Sequence, residues 1–199
     1  MEQPIATHEV EMITWSLELR DQAGLRPSAK PDGDVRLVRA EEPSPEFGRF
    51  LYTAIGGDWY WMLRLPWTYQ QWLDWIDRPG FETWVLYVQG TPAGYFILEA
   101  QPDGSVRIPN FGLLPSFIGR GLGGYLLTEA ALQGLSLRER WPELPEVTRV
   151  WLQTCSVDGP AALKNYQARG FAIFDTHVEV ETLPVEPPGP WPGAQRPRV

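Results

Sequence analysis

One cysteine, two histidines and the lack of any long apolar run set the first limits on this 199-residue sequence. With Cys155 alone, no intrachain disulfide forms and a cysteine-based zinc site is excluded. His8 and His177 are the only imidazoles, so a multi-histidine metal site is not expected and the reading includes no metal. No stretch approaches the roughly 18 apolar residues of a membrane span. The opening MEQPIATHEVEM lacks the basic and apolar regions of a secretion signal. These absences predict a cytoplasmic protein with no membrane partner. Basic surface is scarce as well. A formal net charge of −8 and a pI near 4.8 argue against a nucleic-acid partner, which needs clustered Lys and Arg. The same acidity suits a cationic or amine substrate through long-range attraction.

Tryptophan, by contrast, is abundant. Most of the ten fall between Trp15 and Trp84, which predicts an aromatic core in the first half and an aromatic-lined groove wall. The length fits one well-packed domain, here residues 1–183, followed by a proline-rich tail at 184–199 expected to be disordered or to hug the surface. Residues 1–34 read as an N-terminal extension with a possible extra strand over 12–20.

Periodicity orders the rest. Val35–Ala40 alternates as a half-buried strand, and Pro45–Leu65 has helical spacing broken at Gly56-Gly57. Thr68 is a plausible N-cap for a helix ending near Ile76. Strands follow over 83–88, 94–100 and 106–114, joined by short turns that make them antiparallel neighbours. A helix is expected from about Gly121 to Arg138, a strand over 147–154, a short helix over 160–169 closed by Gly170, and one or two strands over 171–182. This order describes an α/β mixed sheet with helices packed on it.

The best-defined constellation is Gly112-Leu-Leu-Pro-Ser-Phe-Ile-Gly-Arg-Gly-Leu-Gly-Gly124, in which a strand end, a glycine-rich loop and an amphipathic helix follow in sequence. Glycines let backbone N–H groups turn inward, and a helix N-terminus adds partial positive charge, so the segment reads as an anion cradle for a diphosphate. Arg120 adds a full charge. Gly119, Gly121 and Gly124 also satisfy G-x-G-x-x-G, the dinucleotide fingerprint of an oxidoreductase. Against that, the loop comes late in the chain and the next strand ends at Gln153-Thr154-Cys155 without a carboxylate. A glycine-rich connection with no ligand is the third reading.

Leu113-x-Pro-x-x-x-Gly-Arg-Gly-Leu-Gly resembles the acetyl-CoA-binding segment of GNAT acetyltransferases, whose signature is [Q/R]-x-x-G-x-[G/A]. Ile118 stands in the first slot, followed by Gly119, Arg120, Gly121, Leu122 and Gly123, so the usual Gln or Arg is absent. Downstream, Ala162-Leu-Lys-Asn-Tyr166-Gln-Ala-Arg-Gly170-Phe171 is similar to the family's helix-to-strand segment, and Gly159 stands where the family often has asparagine, with Asp158 beside it. The resemblance runs from about Val35 to Phe174.

It implies a mostly antiparallel sheet with a splayed parallel pair and helices on both faces. Acetyl-CoA would be the cosubstrate, held by Leu113, Leu114, Ile118, Gly119, Arg120, Gly121, Leu122, Gly123, Gly124 and Tyr166. Direct attack by an amine, of a small molecule or a peptide, is implied, with Tyr166 as the acid toward the departing sulfur. The base slots of the family are here Arg107 and Pro109, so Glu99 is the first substitute, followed by Asp58, His177 or a water relay. Trp59, Tyr60 and Trp61 are the expected acceptor-binding residues. A homodimer using the segment after Phe171 belongs to the same analogy. The reading from another class is a GNAT-fold module that binds acyl-CoA without turnover.

Overall fold

A computed structural model describes residues 5–194. Eight strands form one sheet in the order β2-β3-β4-β5-β7-β1-β8, with β6 paired to β4 beside β5. The strands are β1 Thr7–Leu19, β2 Val35–Ala40, β3 Phe81–Val88, β4 Thr91–Ala100, β5 Ser105–Ile108, β6 Phe111–Leu113, β7 Arg149–Cys155 and β8 Ala172–Pro184. Among the described residues only β5 and β7 run parallel. The helices are α1 Pro45–Gly56, α2 Tyr69–Ile76, α3 Leu122–Leu135, α4 Leu137–Arg140 and α5 Ala162–Ala168.

Strand alternation sorts the two faces. Phe96, Leu98, Val106, Ile108, Val150, Leu152, Leu17 and Leu19 turn to the face covered by α3 and α5, where the larger core lies. Tyr95, Ile97 and Val85 turn to the other face and pack with Leu51 and Ile55 of α1. Caps agree with sequence chemistry. Ser44 accepts from the Phe47 N–H at the start of α1, and Thr68 forms a capping box with Gln71 at the start of α2.

Three elements differ from the sequence reading. The strand expected as one piece over 106–114 is cut at Pro109-Asn110. Pro109 has no N–H for a ladder, and the chain kinks there while the Asn110 carbonyl accepts from Ile97 N–H at 3.0 Å. The long helix expected to Arg138 breaks at Ser136, whose hydroxyl bonds back to the Leu132 carbonyl. The segment expected as an extension lies inside the sheet, because β1 pairs antiparallel with β7 on one side and β8 on the other.

The linker after β1 is also tied down. Arg26 N–H donates to the Arg169 carbonyl and Ser28 N–H to Thr128 Oγ1. Gly170, at φ +99°, lets the chain pass so close that a Cβ would lie 2.0 Å from the Gly24 carbonyl oxygen. In the tail, Gly189 N–H donates to the Gly57 carbonyl at 3.0 Å, so that part hugs the surface. Residues 195–199 of the expected tail lie outside the described residues. Among the described residues no helix is long and apolar enough to cross a membrane.

Candidate functional site

Gly119 and Gly121 sit at φ +81° and +75° with nothing within 4 Å of where a Cβ would project. Left-handed backbone over open space is what a cradle for a bulky anion requires. Gly121 is the N-cap of α3 and no side chain caps that helix, so its first N–H groups stay free for an anion. Leu122 turns its side chain into the core, leaving its backbone N–H for the cradle. Gly123 is tied to α5 by Asn165 Nδ2, which donates to its carbonyl at 3.2 Å. Arg120 is exposed beside the loop, its guanidinium 4.9 Å from the Phe117 ring centroid. At Gly124 a Cβ would meet Arg169 Nη1 at 2.5 Å and Ser28 Oγ at 2.9 Å, side-chain atoms that would have to move aside.

Next to the cradle the sheet opens. β5 and β7 stay paired from Ser105/Arg149 to Ile108/Leu152, and β6 then follows β4 instead of β7. Asn110 and Leu114 exchange backbone bonds with Ile97 and Ala93, so by alternation the peptide groups of Phe111 and Leu113 point into the opening. Leu114 departs from the sequence reading here. Its N–H donates to the Ala93 carbonyl and so is not left for a ligand, while its own carbonyl already accepts from Phe117 N–H.

A cavity of about 700 Å³ occupies the opening and reaches from Gly119 and Gly123 to the aromatic segment after α1. Trp59, Tyr60 and Trp61 all line it. Trp59 lies against Gly159, closing the wall between this segment and the β7–α5 loop. Tyr60 adopts a left-handed backbone at φ +58°. The Trp61 indole rests on Gly56, where a Cβ would lie 2.2 Å from the ring, so only glycine admits this contact.

Tyr166 also lines the cavity, 5% exposed and packed edge-to-face on Phe111. Burial pushes its phenol well above the ordinary value, with the nearby Asp158 charge and Cys155 adding to the shift. It therefore stays protonated at neutral pH, as a proton donor must. Burial and Asp158 raise the Cys155 thiol to about 11, which leaves it a neutral thiol and a poor nucleophile.

The three substitutes named for the base do not meet in this wall. Glu99 turns to the α1/α2 side of β4 and is ion-paired with Arg78, away from the cavity lining. Asp58 is absent from the lining too, and His177 lies on β8 with its nearest ionic partner, Glu179, 3.6 Å away.

Asp158 is the carboxylate that does line it, and the sequence reading passed over it as a neighbour of the Gly159 slot. Its Oδ2 accepts from Thr154 Oγ1 at 2.8 Å and from Cys155 N–H at 3.0 Å. Oδ1 has no protein donor among the described residues. Burial raises its carboxyl pKa against the effect of those two bonds. The available signal was its place, two residues before Pro160 and eight before Tyr166, at the mouth of a strand-to-helix turn.

The model of the "Acetyltransferase (GNAT) family" matches residues 49–171, more than half of the sequence. The chain belongs to the GNAT acetyltransferase family. Among solved structures, a GCN5-related N-acetyltransferase from Kribbella flavida is similar at 20% identity and TM-score 0.59, covering 87% of this chain and 59% of its own. Another, from Sphaerobacter thermophilus, is similar at 18% identity and TM-score 0.60, covering 91% and 54%. This chain thus spans little more than half the length of those two proteins. An aminoglycoside acetyltransferase from an uncultured soil metagenomic sample, in complex with sisomicin, matches at 15% identity and TM-score 0.51, covering 68% and 86%. No curated protein matches the sequence. These likenesses establish the GNAT fold. Among the described residues no group of three or more His, Cys, Asp or Glu could hold a metal ion.

Proposed function

We propose that this GNAT chain transfers the acetyl group of acetyl-CoA directly to an amine, with Asp158 as base and Tyr166 as acid. The observation that carries the reading is that one cavity joins an uncapped, open glycine cradle, the free backbone edge of β6, the Tyr166 phenol and a single half-buried carboxylate. The cradle fits a diphosphate, and the edge at Phe111 and Leu113 fits the amides of a pantetheine arm. Acetyl-CoA supplies an activated acyl carbon on a thiol leaving group. The reading carries with it a cytoplasmic location, where that cosubstrate is available.

Asp158 attracts the acceptor ammonium, which gives one proton to solvent to become the attacking amine, and Asp158 takes the second proton that the nitrogen loses as the new N–C bond forms. Tyr166 gives its phenolic proton to the sulfur as the C–S bond breaks. The two groups are coupled. While Asp158 is charged it holds the Tyr166 proton tightly, and once Asp158 has taken a proton that restraint is gone. Proton return from Asp158 to the phenolate, through solvent, restores both. The aromatic wall at Trp59 and Trp61 excludes water from the acceptor side.

The test begins with thermal-shift titrations by acetyl-CoA, CoA and NADH, followed by an amine panel. Stabilisation by both coenzyme A forms but not by NADH is expected, with turnover falling about 10²–10⁴-fold in Tyr166→Phe. Coenzyme A binding without turnover of any amine would instead select the non-catalytic acyl-CoA-binding module. Stabilisation by NADH alone would return the loop to the dinucleotide reading.

A further inference from the structure

On the α1/α2 side of the sheet, beside the cavity, buried polar atoms lack partners. Arg64 Nε, Arg107 Nε, Trp72 Nε1 and Trp151 Nε1 are buried donors without an acceptor, the Tyr95 hydroxyl has no partner in either role, and Asn110 Oδ1 is a buried acceptor without a donor. They share one region. Tyr95 faces α1, Arg107 is opposite Glu99 on β4 and Trp151 on β7, Asn110 is opposite Ile97, and Arg64 lies in the segment that covers them. Four orphaned donors to one acceptor call for an acceptor-rich occupant.

Charge points the same way. In a chain of net charge −8, Arg64 and Arg107 lie near each other on this side of the sheet, where Glu99 is the carboxylate opposite Arg107. Glu99 is engaged by Arg78. Neither Arg64 nor Arg107 makes an ion pair among the described residues. The Arg64 guanidinium is instead stacked among rings, 4.1 Å from the Trp75 centroid, 5.1 Å from Trp67 and 5.9 Å from Tyr52. Rings hold a guanidinium by its faces and leave its N–H edge, the edge that grips a planar anion in bidentate fashion. Arg64 lines the same cavity as Asp158 and Tyr166.

We propose that the acceptor carries a carboxylate as well as its amine, and that Arg64 binds this carboxylate while Asp158 receives the ammonium end. Arg107, one residue before the cavity-lining Ile108, adds its charge from behind the wall. The aromatic surface of Trp59 and Trp61 then covers the spacer between the two ends. The inference rests on the acetyl-transfer reading for its amine end and on its own observations for its anionic end.

Glycine, 4-aminobutyrate and 6-aminohexanoate, each paired with its primary amide, supply matched acceptors of increasing reach. At the best length the acid is expected to exceed its amide about 10–100-fold in kcat/KM, and this ratio falls to near one in Arg64→Met. The coenzyme A thermal shift, kept in the variant, shows that it folds; Arg64→Gln serves if Arg64→Met does not. Amides equal to acids at every length, or a ratio that survives loss of Arg64, overturns the proposal. A second readout works without turnover: the N-acetyl derivatives of the same acids and amides, titrated by thermal shift against the protein free of coenzyme. Stabilisation by the N-acetyl acids alone, lost in Arg64→Met, supports the carboxylate site even if no amine is acetylated. Equal or absent shifts for acids and amides sink it, and identify the orphaned donors as sites for buried water.

Discussion

At Asp158, burial raises the carboxyl pKa while the Thr154 hydroxyl and Cys155 N–H, both on Oδ2, oppose the shift. The folded protein therefore binds this proton more tightly than the unfolded chain. The group's contribution to stability is greatest below the unfolded pKa and declines as pH rises through the window up to the folded value. Asp158→Asn removes that penalty and keeps an acceptor oxygen for Thr154 and Cys155. It is expected to melt no lower than the parent at pH 7, while kcat/KM falls about 10²–10⁴-fold and the acid limb of its pH profile disappears. A lower melting temperature with unchanged kinetics would make Asp158 structural. Glu82 behaves oppositely. Burial would raise its pKa, but hydrogen bonds from Arg140, Trp84 and Trp141 hold it below the usual carboxylate range. Arg39 adds a further ion pair. Its stabilisation is present above the unfolded pKa and lost as pH falls through the folded one. Glu82→Ala, read by urea denaturation at neutral pH, is expected to cost about 3–5 kcal/mol because Arg39 and Arg140 lose a 3%-exposed partner.

Elements differ in how legible they were. Thr68 before YQQWLDWI announced α2, and the turn residues around Gly90 and Gly104 announced the hairpins, because caps and turns are written in local chemistry. The glycine loop and the helix that carries Tyr166 were legible for the same reason: each is one short segment. The position of β1 was not legible, since no local pattern says which strand a strand will pair with. Neither was Asp158, whose use depends on burial between β7, the α5 loop and Tyr166. The pairing yields a prediction. Leu17 is fully buried in the larger core, and deleting residues 5–20 would separate β7 from β8, so the truncated chain is expected to be insoluble or to lose its cooperative melt. If it melts like the parent, β1 is dispensable and the sheet closes without it.

For the molecule as a whole, β8 is the end of the sheet and pairs only with β1 among the described residues. It is 13 residues long and exposes Ile173, Phe174, Val178 and Val180. Long apolar edges invite a second strand, so we expect a dimer through β8, measured by light scattering on a size-exclusion column. Val180→Lys is expected to yield the monomer. A monomeric parent would show the edge to be guarded by its own charges, Asp175, Glu179 and Glu181.

The place of β1 also bears on the order of synthesis. Its two neighbours end at Cys155 and Pro184, so the strand leaves the ribosome long before either exists. At about 5–20 residues per second, roughly 7–27 s separate the emergence of Leu19 from that of Cys155, the end of its first partner. During that interval a strand bearing Trp15, Leu17 and Leu19 has nothing to pair with. Of the strands described, β1 needs shielding for longest.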